Sequence, residues 1–337
     1  MISRVAEHCF WMSRYLERAE NAARLLEVNQ TLLLDFAVPV EQQWRPVLII
    51  SGIHDRPEDM DGEAVQNFMT WEVDDNPSSI ASSIAAAREN ARNIREVISA
   101  ESWERMNFYY LWMESPGARA LYHTDRTGFY NRIRRINQLI AGINEGTMSH
   151  GEAWDFYRLG HYLERASQIA RILDVKYHIL LPTLEHVGTP VDNAHWVAIL
   201  TSCSGYEPYT KERFDSDPGV AVPDFLIFDS LFPRSVRFCL NRCRAAAYAI
   251  SGRQPGRPGN AVEHALEDLS SWLNLTKIDD FIQAGLHEAL TSIIDRIHGI
   301  GDAIHRTYFD QRSNMIPEEW AAAGAAADPG AVPQSTA

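Results

Sequence analysis

The tetrapeptide Tyr15-Leu16-Glu17-Arg18 returns unaltered as Tyr162-Leu163-Glu164-Arg165, and its surroundings return with it. The longer match sets YLERAENAARLLEV from Tyr15 against YLERASQIARILDV from Tyr162, so that Glu17, Arg18, Arg24 and Leu26 recur as Glu164, Arg165, Arg171 and Leu173. Further on, Phe68-Met69, Glu72, Pro77, Ser79-Ile80, Ile84 and Arg88 answer to Phe225-Leu226, Asp229, Pro233, Ser235-Val236, Leu240 and Arg244. A weaker match relates Arg135-Ile136 to Arg296-Ile297. The expectation is a tandem duplication, with one copy over 1–150, a second over 151–316, and loop insertions in the second.

Apolar residues recur at helical spacing in one stretch after another, and short alternating β-branched runs bounded by hairpin turns are missing. The fold class is therefore all-α: a helical bundle of two pseudo-symmetric halves, each of about six helices. The pattern predicts helices near 3–35, 43–53, 62–72, 77–99, 101–114 and 121–147, then 152–181, 192–204, 220–231, 233–251, 260–275 and 279–309. Ser3 is placed to cap the first, and Pro77 and Pro233 to occupy first turns. Breaks are expected at 54–62, 115–117, 183–193, 207–219 and 252–260. The Ala-, Gly- and Pro-rich stretch 317–337 reads as a disordered tail.

At 337 residues and 45% apolar content the chain has ample material for a sizeable core. Its formal charge of -14 opposes a phosphate-neutralising surface, which excludes nucleic acid as the expected partner. No apolar run reaches the ~18 residues of a membrane span. The first repeat begins almost at once, leaving no room for a secretory leader, so a cytoplasmic protein is expected. Four cysteines in this length are no disulfide framework. Cys239 and Cys243 share a helix face, but their register partners Ser83 and Ala87 point to small-residue packing rather than metal or redox chemistry.

On the first helix Met12, Tyr15, Leu16, Ala19, Ala22, Ala23 and Leu26 gather on one side, facing the core. Beside them runs a polar stripe of Ser13, Glu17, Glu20 and Arg24, matched in the second copy by Gly160, Glu164, Ser167 and Arg171. Glu20 is within i,i+4 reach of Arg24. Arg18 lies about 100° round from Glu17, so the adjacent Glu-Arg pair cannot be one surface ion pair. Each member needs its own partner, from another helix or from the other repeat. The alanines Ala19, Ala22, Ala23, Ala166 and Ala170 permit close approach of a second helix, which would bury these charges. A buried charge must be paired, at several kcal/mol otherwise. Two readings stay open: a structural charge network fixing the two halves, or a polar site for a carboxylate, phosphate or amide.

The rings of Phe10, Trp11, Tyr15, Phe156, Tyr157 and Tyr162 read as core rather than as a ligand pocket. His161, His298 and His305 have register partners Arg14, Asn137 and Asn144, which preserve no metal-ligand set. No metal and no cofactor is expected. GxxxxGK[ST], GxSxG and HExxH are all missing from the sequence, and Gly299-Ile300-Gly301 follows no strand signal.

The opening MISRVAEHCFWMSRYLERAENAARLLEV and its second copy closely resemble the bacterial alpha-E family, a helical domain named for its Glu-Arg motif and usually duplicated in tandem. The resemblance spans essentially 1–310 and places the motif on Glu17 and Arg18 and on Glu164 and Arg165. The second copy departs upstream, with Arg158 for Trp11 and His161 for Arg14. The resemblance implies a peptide-synthesis or protein-modification system, beside circularly permuted ATP-grasp ligases, transglutaminase-like proteins and Ntn-type peptidases. The expected role is a non-catalytic accessory or scaffold subunit that docks an ATP-grasp ligase or holds its peptide substrate. Two alternatives remain. One is an enzyme of amide formation or hydrolysis with Glu17 or Glu164 as general base and Arg18, Arg24, Arg165 or Arg171 stabilising developing charge. The other is a plain helical interaction module.

Overall fold

A computed structural model describes residues 3–35, 44–53, 60–178, 189–213 and 216–310. The stretch 317–337 lies outside the described residues, as do most of the break expected at 54–62 and part of that at 183–193. Among the described residues the regular structure is helical throughout. The helices are α1 (Ser3–Asp35), α2 (Arg45–Ile50), α3 (Gly62–Trp71), α4 (Ile80–Arg92), α5 (Ala100–Met113), α6 (Pro116–Thr124), α7 (Arg126–Thr147) and α8 (Glu152–His178). They continue as α9 (Pro190–Ser202), α10 (Tyr206–Arg213), α11 (Pro218–Phe228), α12 (Val236–Ser251), α13 (Ala261–Leu275), α14 (Ile278–Ala284) and α15 (Leu286–Ile304). A π-helical turn, His305–Phe309, follows α15.

Local chemistry fixes where most of these begin. The side chains of Asp61, Ser79, Ser99, Ser115, Asp125, Thr189, Ser235 and Asn260 each accept from the backbone N–H three residues on, satisfying a donor that the first turn leaves open. Pro116, Pro190 and Pro218 stand at the starts of α6, α9 and α11, where the missing N–H costs nothing. Gly252, at φ +69°, closes α12 in the left-handed region.

These caps also correct several expected boundaries. Pro77 and Pro233 precede α4 and α12 rather than sitting in their first turns, because Ser79 and Ser235 are the caps. Ser3 is not a cap either; it lies within α1 and its hydroxyl donates to the carbonyl of Phe309 at 3.3 Å. The helix expected at 121–147 is two, since Asp125 ends α6 and caps α7, and Ser115-Pro116 starts a helix instead of breaking one. Gly285, at φ +101°, divides the helix expected at 279–309. Most of α10 falls within the break expected at 207–219.

The centre of the molecule is a packed pair of long helices, α1 against α8. α4 and α7 pack on α1, while α12 and α15 pack on α8. One apolar cluster runs through all of them. The two helices approach closely at Gly160, where an added Cβ would lie 2.3 Å from the Phe10 carbonyl oxygen and 2.5 Å from Ser13 Oγ. Only glycine lets the two backbones meet there, and the small residues Ala19, Ala23, Ala166 and Ala170 keep them close farther along. The π turn folds back across α1 and sets Phe309 between Phe10 and Phe156, with ring centroids 5.5 and 6.0 Å away.

Candidate functional site

Burying α1 on nearly every side also buries its polar stripe. Ser13, Glu17, Glu20, Asn21 and Arg24 are all buried, and on α8 so are Glu164 and Ser167. Such groups must find partners within the protein, and they find them across the contact between the two helices.

Glu17 accepts from Arg165 in bidentate fashion, Nε to Oε1 and Nη2 to Oε2, both at 2.8 Å. Glu164 accepts in turn from Arg18, Nε to Oε1 at 2.8 Å and Nη2 to Oε2 at 3.1 Å. Each Glu-Arg dipeptide thus gives its carboxylate to the arginine of the other, and its arginine to the other's carboxylate. The tyrosine of each YLER run supports the exchange. Arg18 lies over the Tyr15 ring at 5.4 Å and Arg165 over Tyr162 at 5.7 Å, three residues being the spacing that sets a ring beneath a guanidinium on one helix face. Phe10 and Phe156 are core, whereas Trp11 lies partly buried beneath Arg14.

Around this exchange the two carboxylates differ. Arg14 is the additional partner of Glu164, with Nε 2.8 Å from Oε2. The corresponding residue beside Glu17 is His161, whose Nδ1 is 3.4 Å from Oε2. Burial, and then Arg165, lowers the His161 pKa to about 4, so it stands neutral at pH 7 and supplies no charge. The missing cation comes instead from Arg234, just ahead of α12, whose Nη1 donates to Glu17 Oε1 at 3.1 Å and whose Nη2 donates to Glu20 Oε1 at 3.0 Å. Asn21 joins Glu17, Arg24 and Arg234, and Arg24 also pairs with Glu20 one turn away.

The electrostatics follow from burial and partners. Burial pushes both glutamate pKa values up, but the facing guanidiniums prevail. Arg18 and Arg14 hold Glu164 at about 2, and Arg165 with Arg234 holds Glu17 well below the ordinary value. Burial opposes the charge of Arg165 as well, and Glu17 more than restores it, so its pKa is raised. Arg24 is held down, to about 10, by burial and by Arg234.

Of the residues singled out in the sequence, Glu17, Arg18, Glu164, Arg165 and His161 meet at this contact, and Glu20 and Arg24 adjoin it. Arg171 lies beside this group at a partly open edge, near enough to feel the charges of Glu164 and Arg18: its Nη2 is 3.0 Å from His298 Nε2, and among the described residues no carboxylate forms an ion pair with it. Arg234, Arg14 and Asn21 were not singled out as site residues. The available signal for Arg234 was its register, since it stands between Pro233 and Ser235 where Ser78 stands between Pro77 and Ser79.

A second buried cluster, also unforeseen, lies at the far end of α8. Lys176 is fully buried and paired with Asp192, with His195 Nδ1 at 3.4 Å and the Trp196 ring 5.0 Å from its ammonium. Cys239 and Cys243 are buried free thiols on α12, and Cys243 Sγ points to the Leu159 carbonyl of α8 at 3.8 Å. Among the described residues no three His, Cys, Asp or Glu side chains are grouped to hold a metal, and no helix is long and apolar enough to cross a membrane.

A family model for a predicted alpha-helical domain with a conserved ER motif matches residues 1–309. Uncharacterised proteins of Mycobacterium bovis and Mycobacterium tuberculosis are 25% identical over 344 residues, an alignment covering 93% of this chain and 38% of each relative. The chain therefore spans about two fifths of the length of the curated relatives it matches. No solved structure matches it.

Proposed function

The chain belongs to the Alpha-E family, which that model defines, and from this premise we propose that it is a non-catalytic scaffold whose two Glu-Arg motifs clamp a duplicated helical bundle. In this reading residues 1–150 and 151–316 are the two copies. Support comes from the sequence match and from the reciprocity of packing: α4 and α7 lie on α1 as α12 and α15 lie on α8. The motif is then the fastener between copies.

One observation carries the non-catalytic part. Both motif carboxylates are already engaged by arginines, with Arg18 and Arg14 on Glu164 and Arg165 and Arg234 on Glu17. A general base works best with a pKa near the operating pH. Glu164, at about 2, is far from that range, and Glu17 is displaced in the same direction. This weighs against the reading in which either glutamate drives amide formation or hydrolysis.

The partner in this proposal is an ATP-grasp type carboxylate-amine ligase, with a transglutaminase-like protein in the same system and a peptide as the molecule acted upon. The chain's sequence holds no P-loop signature with which to activate a carboxyl group itself. In the mycobacterial relatives the matched region is only 38% of the protein, so the same unit is there joined to further polypeptide. That suits a module working beside another one. The test is affinity purification from the native host followed by reconstitution with the recovered ligase. Ligation should fall when this chain is left out, and an unchanged rate would end the proposal.

A further inference from the structure

Ser78 and Arg234 occupy the same local position, the residue just ahead of an N-cap serine: Ser79 Oγ accepts from Ser82 N–H at the start of α4, and Ser235 Oγ accepts from Phe238 N–H at the start of α12. Arg234 reaches Glu17, Glu20 and Asn21. Their register partners are Glu164, Ser167 and Gln168, and Ser78 faces these three across an open space. Where one side of the molecule has the ion pair Arg234–Glu20, the other has two serines. Their hydroxymethyl groups cannot fill the volume of a guanidinium and a carboxylate, and a cavity of about 170 Å³ remains. That is the size of cavities known to take a benzene-sized guest, about 150 Å³.

The same exchange unbalances the charge. On the closed side Arg165, Arg234 and Arg24 face two carboxylates, Glu17 and Glu20. Among the described residues the open cavity is lined by the cations Arg14, Arg18 and Arg171, with Glu164 as its sole carboxylate. Arg14 and Arg18 are spent on Glu164. Arg171, the register partner of Arg24, has lost the acid that Glu20 provides to Arg24, because Ser167 stands in its place. Burial lowers the Arg171 pKa, Glu164 pulls it back up, and Asp174, one turn on and outside the cavity lining, pulls less; neither carboxylate forms an ion pair with Arg171. A partly buried cation, hydroxyls and side-chain amides around an open volume make a receptor for negative charge.

We propose that this cavity binds an oxyanion group, a carboxylate or phosphate of a small ligand, seated on Arg171 with Ser78 and Ser167 beside it, and that the matching position across the molecule is closed to ligand by Arg234 and Glu20. The proposal stands independently of any ligase partnership. The oxyanion occupies the place of the Glu20 carboxylate, and the body of the ligand takes up the volume of the missing arginine.

The test is calorimetric or NMR titration of the full chain with three probes: N-acetyl-alanyl-alanine as the free acid, the same dipeptide as its C-terminal amide, and inorganic phosphate. Saturable one-site binding of the free acid without the amide identifies a carboxylate, and binding of phosphate alone identifies a phosphate; either supports the site. The double substitution Ser78→Arg with Ser167→Glu rebuilds the closed arrangement and should abolish binding. Arg171→Gln, which adds no volume and sits at a partly exposed edge, should weaken binding at least tenfold and keeps the test decisive if the double variant does not fold. Binding of neither anion, or anion binding that survives Arg171→Gln unchanged, overturns the proposal.

Discussion

Arg165 grips both oxygens of Glu17 at 2.8 Å across the contact of α1 and α8, with the bidentate geometry that makes guanidinium–carboxylate pairs directional. Its reciprocal, Arg18 on Glu164, makes the two motifs one structural device. Such a buried device constrains which two surfaces meet more than it adds net stability, because desolvation offsets much of the attraction.

Breaking the device from one side should be costly. Glu17→Gln keeps the shape but leaves Arg165 and Arg234 facing a neutral amide, and a loss of about 3–5 kcal/mol is expected in urea unfolding. Arg18→Gln should cost less than Glu164→Gln, because Arg14 still serves the carboxylate. Equal losses for these two variants would contradict the assigned geometry.

Acid should unfold the protein partly through Glu164. Its folded pKa, about 2, lies below the ordinary 4.5, so its contribution is present above pH 4.5 and is lost as pH falls towards 2. The shift corresponds to about 3 kcal/mol by linkage. Stability measured against pH should therefore fall less steeply over that window in Glu164→Gln than in the parent.

His161 acts in a neighbouring window with the same sign. Its pKa drops from 6.5 to about 4 on folding, so the unfolded chain takes up a proton first, and stability declines as pH falls from 6.5 to 4. His161→Asn should flatten the decline there while leaving the lower window intact. An unaltered profile would show that the ring titrates normally.

Gly160→Ala tests the helix contact itself. The new Cβ would meet backbone, the Phe10 carbonyl, which cannot rotate away. Overpacking of this kind costs about 1–3 kcal/mol, and a lowered melting temperature is expected. A variant as stable as the parent would mean that the two helices lie farther apart.

Because each motif is completed only by the other, residues 1–150 expressed alone should lack a cooperative unfolding transition, and co-expression with 151–316 should restore it. Circular dichroism melts of the single and combined fragments provide the measurement. A cooperative melt of the first fragment by itself would remove the clamp from the proposed function.

Much of this was legible in the chain. Helical periodicity gave the fold class, and the 100° between Glu17 and Arg18 required separate partners for them. Short-range chemistry was harder to weigh: Asp125 and Gly285 each divide an apparently continuous periodic stretch, because one cap or one positive φ can outvote many apolar positions. Arg234 was not legible as a partner of Glu17, since the two are 217 residues apart and meet only when α12 docks on α8.

The sequence by itself determined that this protein is helical and that two copies of YLER would carry paired charges, since periodicity and repetition are properties of order along a chain. The tertiary structure alone decided that the pairs cross between the motifs, that Arg234 seals one side, and that Ser78 and Ser167 leave the other open. Those outcomes depend on which distant side chains arrive at a buried carboxylate and how much volume they bring; the exchange of Glu20 for Ser167 is written locally, but the arrival of Arg234 on one side and Ser78 on the other is not.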